Sequence, residues 1–285
     1  MTGQGGTGRM IHPGPRPDER VQHVAATLVP VSGVLPAGQS VMDGIAALMQ
    51  GAGCRGGMIR LDGVVCDPMR YVLPALSSDG IHAAWYSDSI APDGPVTILR
   101  ATASVGIKDG APFLHCHGVW TAADGTPRMG HLLPFDSVVS TDAKVKGIAS
   151  PDAWFESLPD AETAFTLFQP AGGATTGGAI ARVRPGQDVV TAIEALAARY
   201  GITDAALHGL GSIDHIRFQD GSRVDCMATE LHLLGARLTG GRAHIPIEVV
   251  DIDAAIHSGT LTRGNNPVGV TMEILIEPQK VNRHV

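Results

Sequence analysis

An internal repeat constrains the fold of this 285-residue chain more than any other feature of its sequence. Residues 35–65 can be laid over residues 183–213 without a gap. The identical positions run through the whole segment and include Gly38/Gly186, Gln39/Gln187, Val41/Val189, Ile45/Ile193, Leu48/Leu196, Gly53/Gly201 and Gly63/Gly211. Because a repeated pattern of glycine and apolar positions encodes a repeated structural unit, the chain is expected to contain two copies of one plan.

Each copy predicts a helix followed by a short strand. Ser40 and Asp188 are suitable N-cap residues, and apolar residues spaced at i, i+4 and i+7 follow them. Gly53 and Gly201 suit the C-terminal caps, because glycine adopts the left-handed conformation of that position without strain. A strand is expected directly after each glycine.

The repeat divides the chain into two domains after an N-terminal tail. Residues 1–24 begin with a stretch rich in Gly, Pro and polar residues and are expected to form a flexible tail. Residues 25–160 are assigned to domain 1 and residues 161–285 to domain 2. The connecting region, 148–180, contains the run AGGATTGG, whose composition favours a flexible connection.

Three histidines in copy one form a candidate metal site. In an extended strand alternate side chains share a face, so His115 and His117 project together while Cys116 points the other way. A three-residue loop, 123–125, would place His131 opposite His117 on the same face. A two-residue Asp-Gly loop would instead pair His131 with Gly118 and turn it to the far face. The metal hypothesis therefore requires the three-residue loop.

Three neutral imidazoles with a free fourth position are typical of a catalytic zinc site, where bound water ionises near neutral pH. We expect a divalent metal, with zinc first and iron, nickel or manganese as alternatives. The competing interpretation is that these histidines are hydrogen-bonded residues on a half-buried strand face. In copy two the corresponding residues are His244, Pro246 and Thr260, so only one copy is expected to bind metal.

The two copies together resemble the plants-and-prokaryotes-conserved domain family, known as PCC or PPC. The resemblance rests on RVRPGQDVVTAIEALAARYGITDAALHGLGSI in copy two and PFLHCHGVWTAADGTPRMGHLL in copy one, and extends from about residue 25 to 278. It implies an α+β fold of two tandem domains, each a mostly antiparallel sheet covered by a helix. It also implies that the motif histidines are His115, His117 and His131, and that the chain forms a homo-oligomer, with a trimer favoured by the single-domain members. The family is associated with DNA binding through plant members that carry an AT-hook.

Composition argues against DNA as the partner of this chain. The formal net charge is −7 and no Arg-Gly-Arg-Pro hook is present, so the chain has no excess of basic residues to neutralise the phosphates of DNA. The four cysteines lack CxxC spacing and suit free thiols in a cytoplasmic protein. No apolar run approaches the ~18 residues that a membrane span requires, and a small-molecule partner is expected.

Two further features of copy one bear on substrate binding. Arg60, directly before the Gly63 turn, is the candidate for holding a substrate carboxylate in a bidentate contact. The insertion that contains His82, Trp85 and Tyr86 is expected to pack on the domain surface, the alternative being that it covers a pocket.

The sequence therefore favours a metal-dependent enzyme that acts on a small carboxylate-bearing metabolite, by hydrolysis or by hydration and elimination. The metal would be held by His115, His117 and His131, and Arg60 would anchor the substrate. The alternative function is a non-enzymatic regulatory protein that binds a ligand or DNA.

Overall fold

The computed structural model of the chain describes residues 8–175 and 177–279. Its first half contains one helix and thirteen strands, most of them short. In chain order these are β1 Val21–Ala26, β2 Val29–Leu35, α1 Val41–Gly51, β3 Gly56–Arg60, β4 Val65–Cys66, β5 Tyr71–Val72, β6 Pro74–Ala75, β7 Trp85–Tyr86, β8 Val96–Lys108, β9 Ala111–Thr121, β10 Pro127–Leu132, β11 Ala143–Ser150, β12 Ala153–Pro159 and β13 Thr166–Gly172.

The second half repeats the arrangement of a strand, a helix and a run of further strands. Its elements are β14 Gly178–Val183, α2 Val189–Arg199, β15 Ala205–Ile213, β16 Ile216–Arg217, β17 Arg223–Val224, β18 Glu230–Leu233, β19 Ala236–Thr239, β20 Arg242–His244, β21 Pro246–Val250, β22 Ile256–Thr260 and β23 Val268–Pro278. The ungapped repeat is confirmed at the helices, because α1 and α2 occupy matching positions within the aligned segments.

Two large sheets account for most of the strands. The first follows the order β2-β11-β3-β8-β9-β10-β5, with β4 and β12 also pairing with β8 and β13 pairing with β12. The second follows the order β1-β14-β23-β15-β18-β21-β22, with β19 and β20 attached beside β15. The pairing of β12 with β8 is parallel, and the other strand pairs of the described residues are antiparallel. The fold is thus the α+β arrangement of two mostly antiparallel domains that the sequence predicts.

Each helix covers one face of its own sheet. Ser40 Oγ accepts a hydrogen bond from the N–H of Asp43 at 3.0 Å, and Asp188 Oδ1 accepts one from Thr191 at 2.8 Å, as their prediction as N-caps requires. The buried faces of α1 and α2 belong to two separate cores, one for each sheet. A third cluster, which includes Met58, Phe155, Ile180 and Leu275, joins residues of both sheets. The molecule therefore has helix, sheet, sheet and helix layers.

The N-terminal strand crosses from one sheet to the other. Val21–Ala26 pairs antiparallel with β14 of the second sheet, so residues 21–24 of the predicted tail lie in a strand. The predicted boundary at residue 160 lies in the connection between β12 and β13, and both of these strands belong to the first sheet. Residues 153–172 thus form a hairpin, and of the predicted flexible run AGGATTGG only Ala171 and Gly172 lie in it. Apolar residues such as Phe155 and Phe168, buried between the sheets, stabilise this hairpin.

All four cysteines are free and buried, in agreement with the prediction. No helix in the described ranges is long and apolar enough to cross a membrane.

A buried carboxylate ties the β12–β13 hairpin to β14. Asp160 Oδ2 accepts hydrogen bonds from Arg182 Nη1 at 2.7 Å and from Arg184 Nη1 at 2.6 Å, and all three side chains are buried. Burial alone would raise the pKa of Asp160, but the hydrogen bonds and charges of the two guanidinium groups outweigh it and hold the pKa below the usual range. The ionised pair is therefore the stable form at neutral pH.

Replacing Asp160 with Ala removes the shared partner of two buried guanidinium groups. We expect the free energy of unfolding at neutral pH to fall by about 3–5 kcal/mol, measured by urea denaturation. The exposed Asp93→Ala is the control and should change it little. Asp160 contributes its full share to the free energy of unfolding above the pKa of an unfolded Asp, about 3.9. This contribution is lost as the pH falls toward the lower pKa of Asp160 in the folded protein. Equal losses for the two variants would contradict this role.

Candidate functional site

The three predicted histidines meet on one face of the first sheet. His115 and His117 lie on β9, and His131 on β10 is paired with His117 across the ladder. One ring nitrogen from each of the three lies within 4.8 Å of the others. Cys116 points the other way, into the core beneath α1. The histidine face is therefore the face turned toward the second sheet.

The connection between β9 and β10 sets this register. Gly125 has a φ of 70°, and its N–H donates a hydrogen bond to the carbonyl of Ala122 at 3.0 Å. Gly130 pairs with Gly118, and His131 pairs with His117. This is the register of the three-residue loop, so the predicted placement of His131 is confirmed and the Asp-Gly alternative is wrong.

The outer nitrogens of two histidines have partners that orient their rings. His117 Nδ1 lies 3.0 Å from the carbonyl oxygen of Leu231, and His115 Nδ1 lies 2.9 Å from Glu273 Oε1. Because a carbonyl and a carboxylate accept hydrogen bonds, each Nδ1 carries the proton and each Nε2 presents a lone pair. The two Nε2 atoms are 3.0 Å apart. Two lone pairs at this distance repel each other unless a proton or a cation lies between them.

The surroundings favour the neutral form of His117 and His131. Burial, followed by the charges that His115 and His131 would carry, lowers the pKa of His117 well below its usual value. Burial and His115 likewise lower the pKa of His131. Neutral imidazole is the form of histidine that binds metals, so the surroundings favour the ligand form over the protonated form.

Two carboxylates from the second domain complete the surroundings of the histidines. Glu273 on β23 is hydrogen-bonded to His115, and Glu230 on β18 places Oε1 3.9 Å from both His117 Nε2 and His131 Nδ1. Burial raises the pKa of Glu230 well above its usual value. Neither glutamate is a site residue in the sequence-based prediction. The sequence signal for Glu273 was its position as an ionisable residue inside the apolar segment VGVTMEILIEP. This segment forms β23 and is buried along most of its length.

The second copy has no equivalent cluster in the part of the chain that the structure describes. Pro246 pairs with Thr260 across β21 and β22, as His117 pairs with His131 in copy one. The predicted correspondence of these residues is confirmed by strand register. Proline and threonine side chains offer no imidazole nitrogen, so the second hairpin retains the fold without the ligands.

Two cavities border the histidines. The smaller, about 60 Å³, touches His115, His117 and Glu230 and has mainly apolar walls from both domains. The larger, about 280 Å³, touches His115 and His131 and is also lined by Lys108. Tyr86 lines both cavities. A small ligand in the larger cavity would thus lie against two of the three histidines.

The aromatic insertion helps to enclose the site. The Tyr86 ring contacts His131, with 5.3 Å between ring centroids, and the Trp85 ring stacks on Phe165 at 5.4 Å. Trp85 and Phe165 line the smaller cavity. The expectation that this loop only packs on the domain surface is therefore wrong, although both rings of β7 remain partly exposed. Phe165, which pairs with the loop, lies too far along the chain to be recognised from sequence.

Arg60 lies apart from the histidines. Its guanidinium donates hydrogen bonds to Thr102 Oγ1 at 2.9 Å and to Asp62 Oδ1 at 2.9 Å. It lines a different groove, together with His208, and neither cavity at the histidines. Its predicted role in substrate binding stays a prediction.

Comparisons with known structures identify similar folds of about half this length. A metal-containing protein of Archaeoglobus fulgidus is 20% identical, covers 51% of this chain and 95% of its own, and has a TM-score of 0.41. A plant- and prokaryote-conserved protein of Pyrococcus horikoshii is 19% identical, covers 50% and 94%, and has a TM-score of 0.42. A candidate DNA-binding protein of Ralstonia eutropha is 18% identical, covers 48% and 88%, and has a TM-score of 0.38. No curated protein matches the chain.

The family model gives the decisive comparison. The Plants and Prokaryotes Conserved (PCC) domain matches residues 23–145 and again residues 172–279. The two matches contain one helix each and correspond to the two copies of the repeat. The chain therefore belongs to the PCC domain family and carries two tandem copies of that domain.

Proposed function

We propose that the chain is a metal-dependent enzyme that acts on a small carboxylate-bearing metabolite, by hydrolysis or by hydration and elimination. The observation that carries the proposal is the 3.0 Å separation of His115 Nε2 and His117 Nε2, whose protons are drawn to the outer nitrogens. A cation bound by both Nε2 atoms would remove the repulsion between their lone pairs and would form a coordinate bond with each. The carboxylate–histidine contact of Glu273 with His115 is the outer arrangement typical of metal-bound histidine.

The donor set fits a divalent first-row metal. Imidazole nitrogens suit zinc, iron and nickel, and zinc is the first candidate for His115, His117 and His131. A bound metal of this kind supplies a Lewis acid and lowers the pKa of a coordinated water to about 7. The chain itself orients the imidazoles of His115 and His117, partly covers the site with Tyr86 and Trp85, and provides a cavity next to the ligands.

Lys108 is the substrate anchor that the geometry favours. It contributes an ammonium to the cavity beside His115 and His131, and its Nζ lies 5.0 Å from the centroid of the Phe113 ring. Ser157 and Thr166 add hydroxyl groups to the same cavity. The Phe113 ring face attracts the ammonium, and a substrate carboxylate in this cavity would pair with that ammonium. This arrangement supports a carboxylate substrate more directly than Arg60 does.

Removal of one imidazole tests the metal site. We expect the purified protein to contain about one divalent metal per chain, measured by inductively coupled plasma mass spectrometry. His131→Ala removes one of three ligands and should reduce that content to a small fraction at equal chelator exposure. His244→Ala is the matched control, because His244 corresponds to His115 in the second copy. Unchanged metal in His131→Ala would rule out the site.

Replacement of the two basic residues tests the anchor. With benzoate as the probe, we expect Lys108→Met to weaken binding about two- to fivefold, because an ion pair with an exposed charge contributes little free energy. Protein-observed NMR titration measures the affinity. The exposed Lys144→Met is the control and should leave the affinity unchanged. If Arg60→Met weakens benzoate binding and Lys108→Met leaves it unchanged, the anchor is Arg60 instead.

The second candidate function is regulatory binding of a ligand or of DNA. The Ralstonia protein is named for DNA binding, whereas this chain has a formal net charge of −7. We expect no salt-dependent binding to duplex DNA at physiological ionic strength, measured by fluorescence anisotropy. A steep fall of affinity with increasing salt would favour the regulatory function.

A further inference from the structure

Glu230 faces the three histidines from the second domain, and one of its oxygens has no partner. Its side chain is 6% exposed, and Oε2 is buried without a hydrogen bond in the described part of the chain. His131 Nδ1 is likewise buried and lacks a hydrogen-bond partner there. Oε1 of Glu230 lies 3.9 Å from this nitrogen. A carboxylate and a nitrogen that both lack partners therefore face each other beyond hydrogen-bond distance.

This separation lies within the range possible between two ligands of a common cation. Metal bonds to imidazole nitrogen and carboxylate oxygen are about 2.0–2.2 Å long, so two such donors lie from roughly 3 Å to about 4.2 Å apart. Glu230 Oε1 is 3.9 Å from His117 Nε2 as well as from His131 Nδ1. The carboxylate is thus placed at ligand spacing from two of the three histidines.

We propose that Glu230 is a fourth protein ligand, so that one metal is held by three histidines of the first PCC domain and one glutamate of the second. This inference rests on the proposed metal function. It makes the site a product of both repeats, since neither domain alone contains all four donors.

Charge balance supports this assignment. Glu230 lines the smaller cavity, and no Arg or Lys is among the described residues that line it. Glu273 instead lines the larger cavity, together with Lys108. A carboxylate is costly to bury without a compensating charge. A divalent cation would compensate the charge of Glu230 by direct coordination, and Glu273 would support the bound imidazole of His115 through their hydrogen bond.

A glutamate ligand also changes the chemistry of the site. A set of three imidazoles and one carboxylate combines nitrogen and hard oxygen donors, which suits manganese, iron or nickel as well as zinc. Four protein donors leave a position for substrate only if the metal expands to five- or six-fold coordination. The larger cavity, which reaches His115 and His131, is the direction from which such a substrate would enter.

The test compares two isosteric variants of the full-length protein, Glu230→Gln and Glu273→Gln. With Co²⁺ as a spectroscopic probe, Glu230→Gln should change the position and intensity of the visible bands, because a ligand is lost. Glu273→Gln should leave those bands nearly unchanged and lower Zn²⁺ affinity by about 10–100-fold, as for an outer partner. The loss for Glu230→Gln should exceed that range. In metal-free protein Glu230→Gln should not lower the melting temperature, whereas excess Zn²⁺ should stabilise it less than wild type.

The outcomes distinguish failure of the Glu230 assignment from failure of the metal site as a whole. Wild-type Co²⁺ bands and wild-type Zn²⁺ affinity in Glu230→Gln would overturn the assignment and leave a three-histidine site standing. Failure of the wild-type protein to bind Co²⁺ or Zn²⁺ would overturn the proposed function itself. If Glu230→Gln does not fold, Glu230→Asp makes the same test, because it keeps the charge but withdraws the oxygen. The same spectral change and loss of affinity are expected for it.

Discussion

The packing of one sheet against the other is the constraint on which the rest of this structure depends. Each sheet buries one face beneath its own helix, and the other face needs cover that the helix cannot provide. The apolar part of that cover is the cluster that includes Met58, Phe155, Ile180 and Leu275. Buried polar groups need hydrogen-bond partners, and some polar residues of this layer find theirs in the opposite sheet. His115 with Glu273 and Arg100 with Glu248 are such pairs, at 2.9 Å and 2.6 Å.

Local features of the fold were predictable because their physics is local. An N-cap needs only the three residues that follow it, and Ser40 and Asp188 cap helices as expected. The register of His131 with His117 followed from a single hairpin loop. Alternation along β9 likewise separated the histidines from Cys116. Each of these inferences used residues that lie within about one supersecondary unit of each other.

The other half of the site depends on contacts that the sequence does not order. Glu230 and Glu273 approach the histidines only because the second domain packs across them, and no spacing rule links positions so far apart. The same limit applies to Phe165, which completes the aromatic wall next to Trp85. Arg60 differs in this respect, because its partners are its cross-strand neighbour Thr102 and the nearby Asp62. The two repeats therefore contribute different groups to this region, imidazoles from the first and carboxyl groups from the second.

The placement of β1 has a consequence for the order in which this protein can assemble during synthesis. Val21 leaves the ribosome long before its ladder partner Val183, so the strand has nothing to pair with until β14 has been made. Closing such a distant contact costs chain entropy that local pairs do not require. The hairpin of His115, His117 and His131 can form long before Glu273 is made, and it remains open to solvent in that interval. In the nascent chain the three imidazoles are therefore exposed, and they are covered only after β18 and β23, which carry Glu230 and Glu273, have been made.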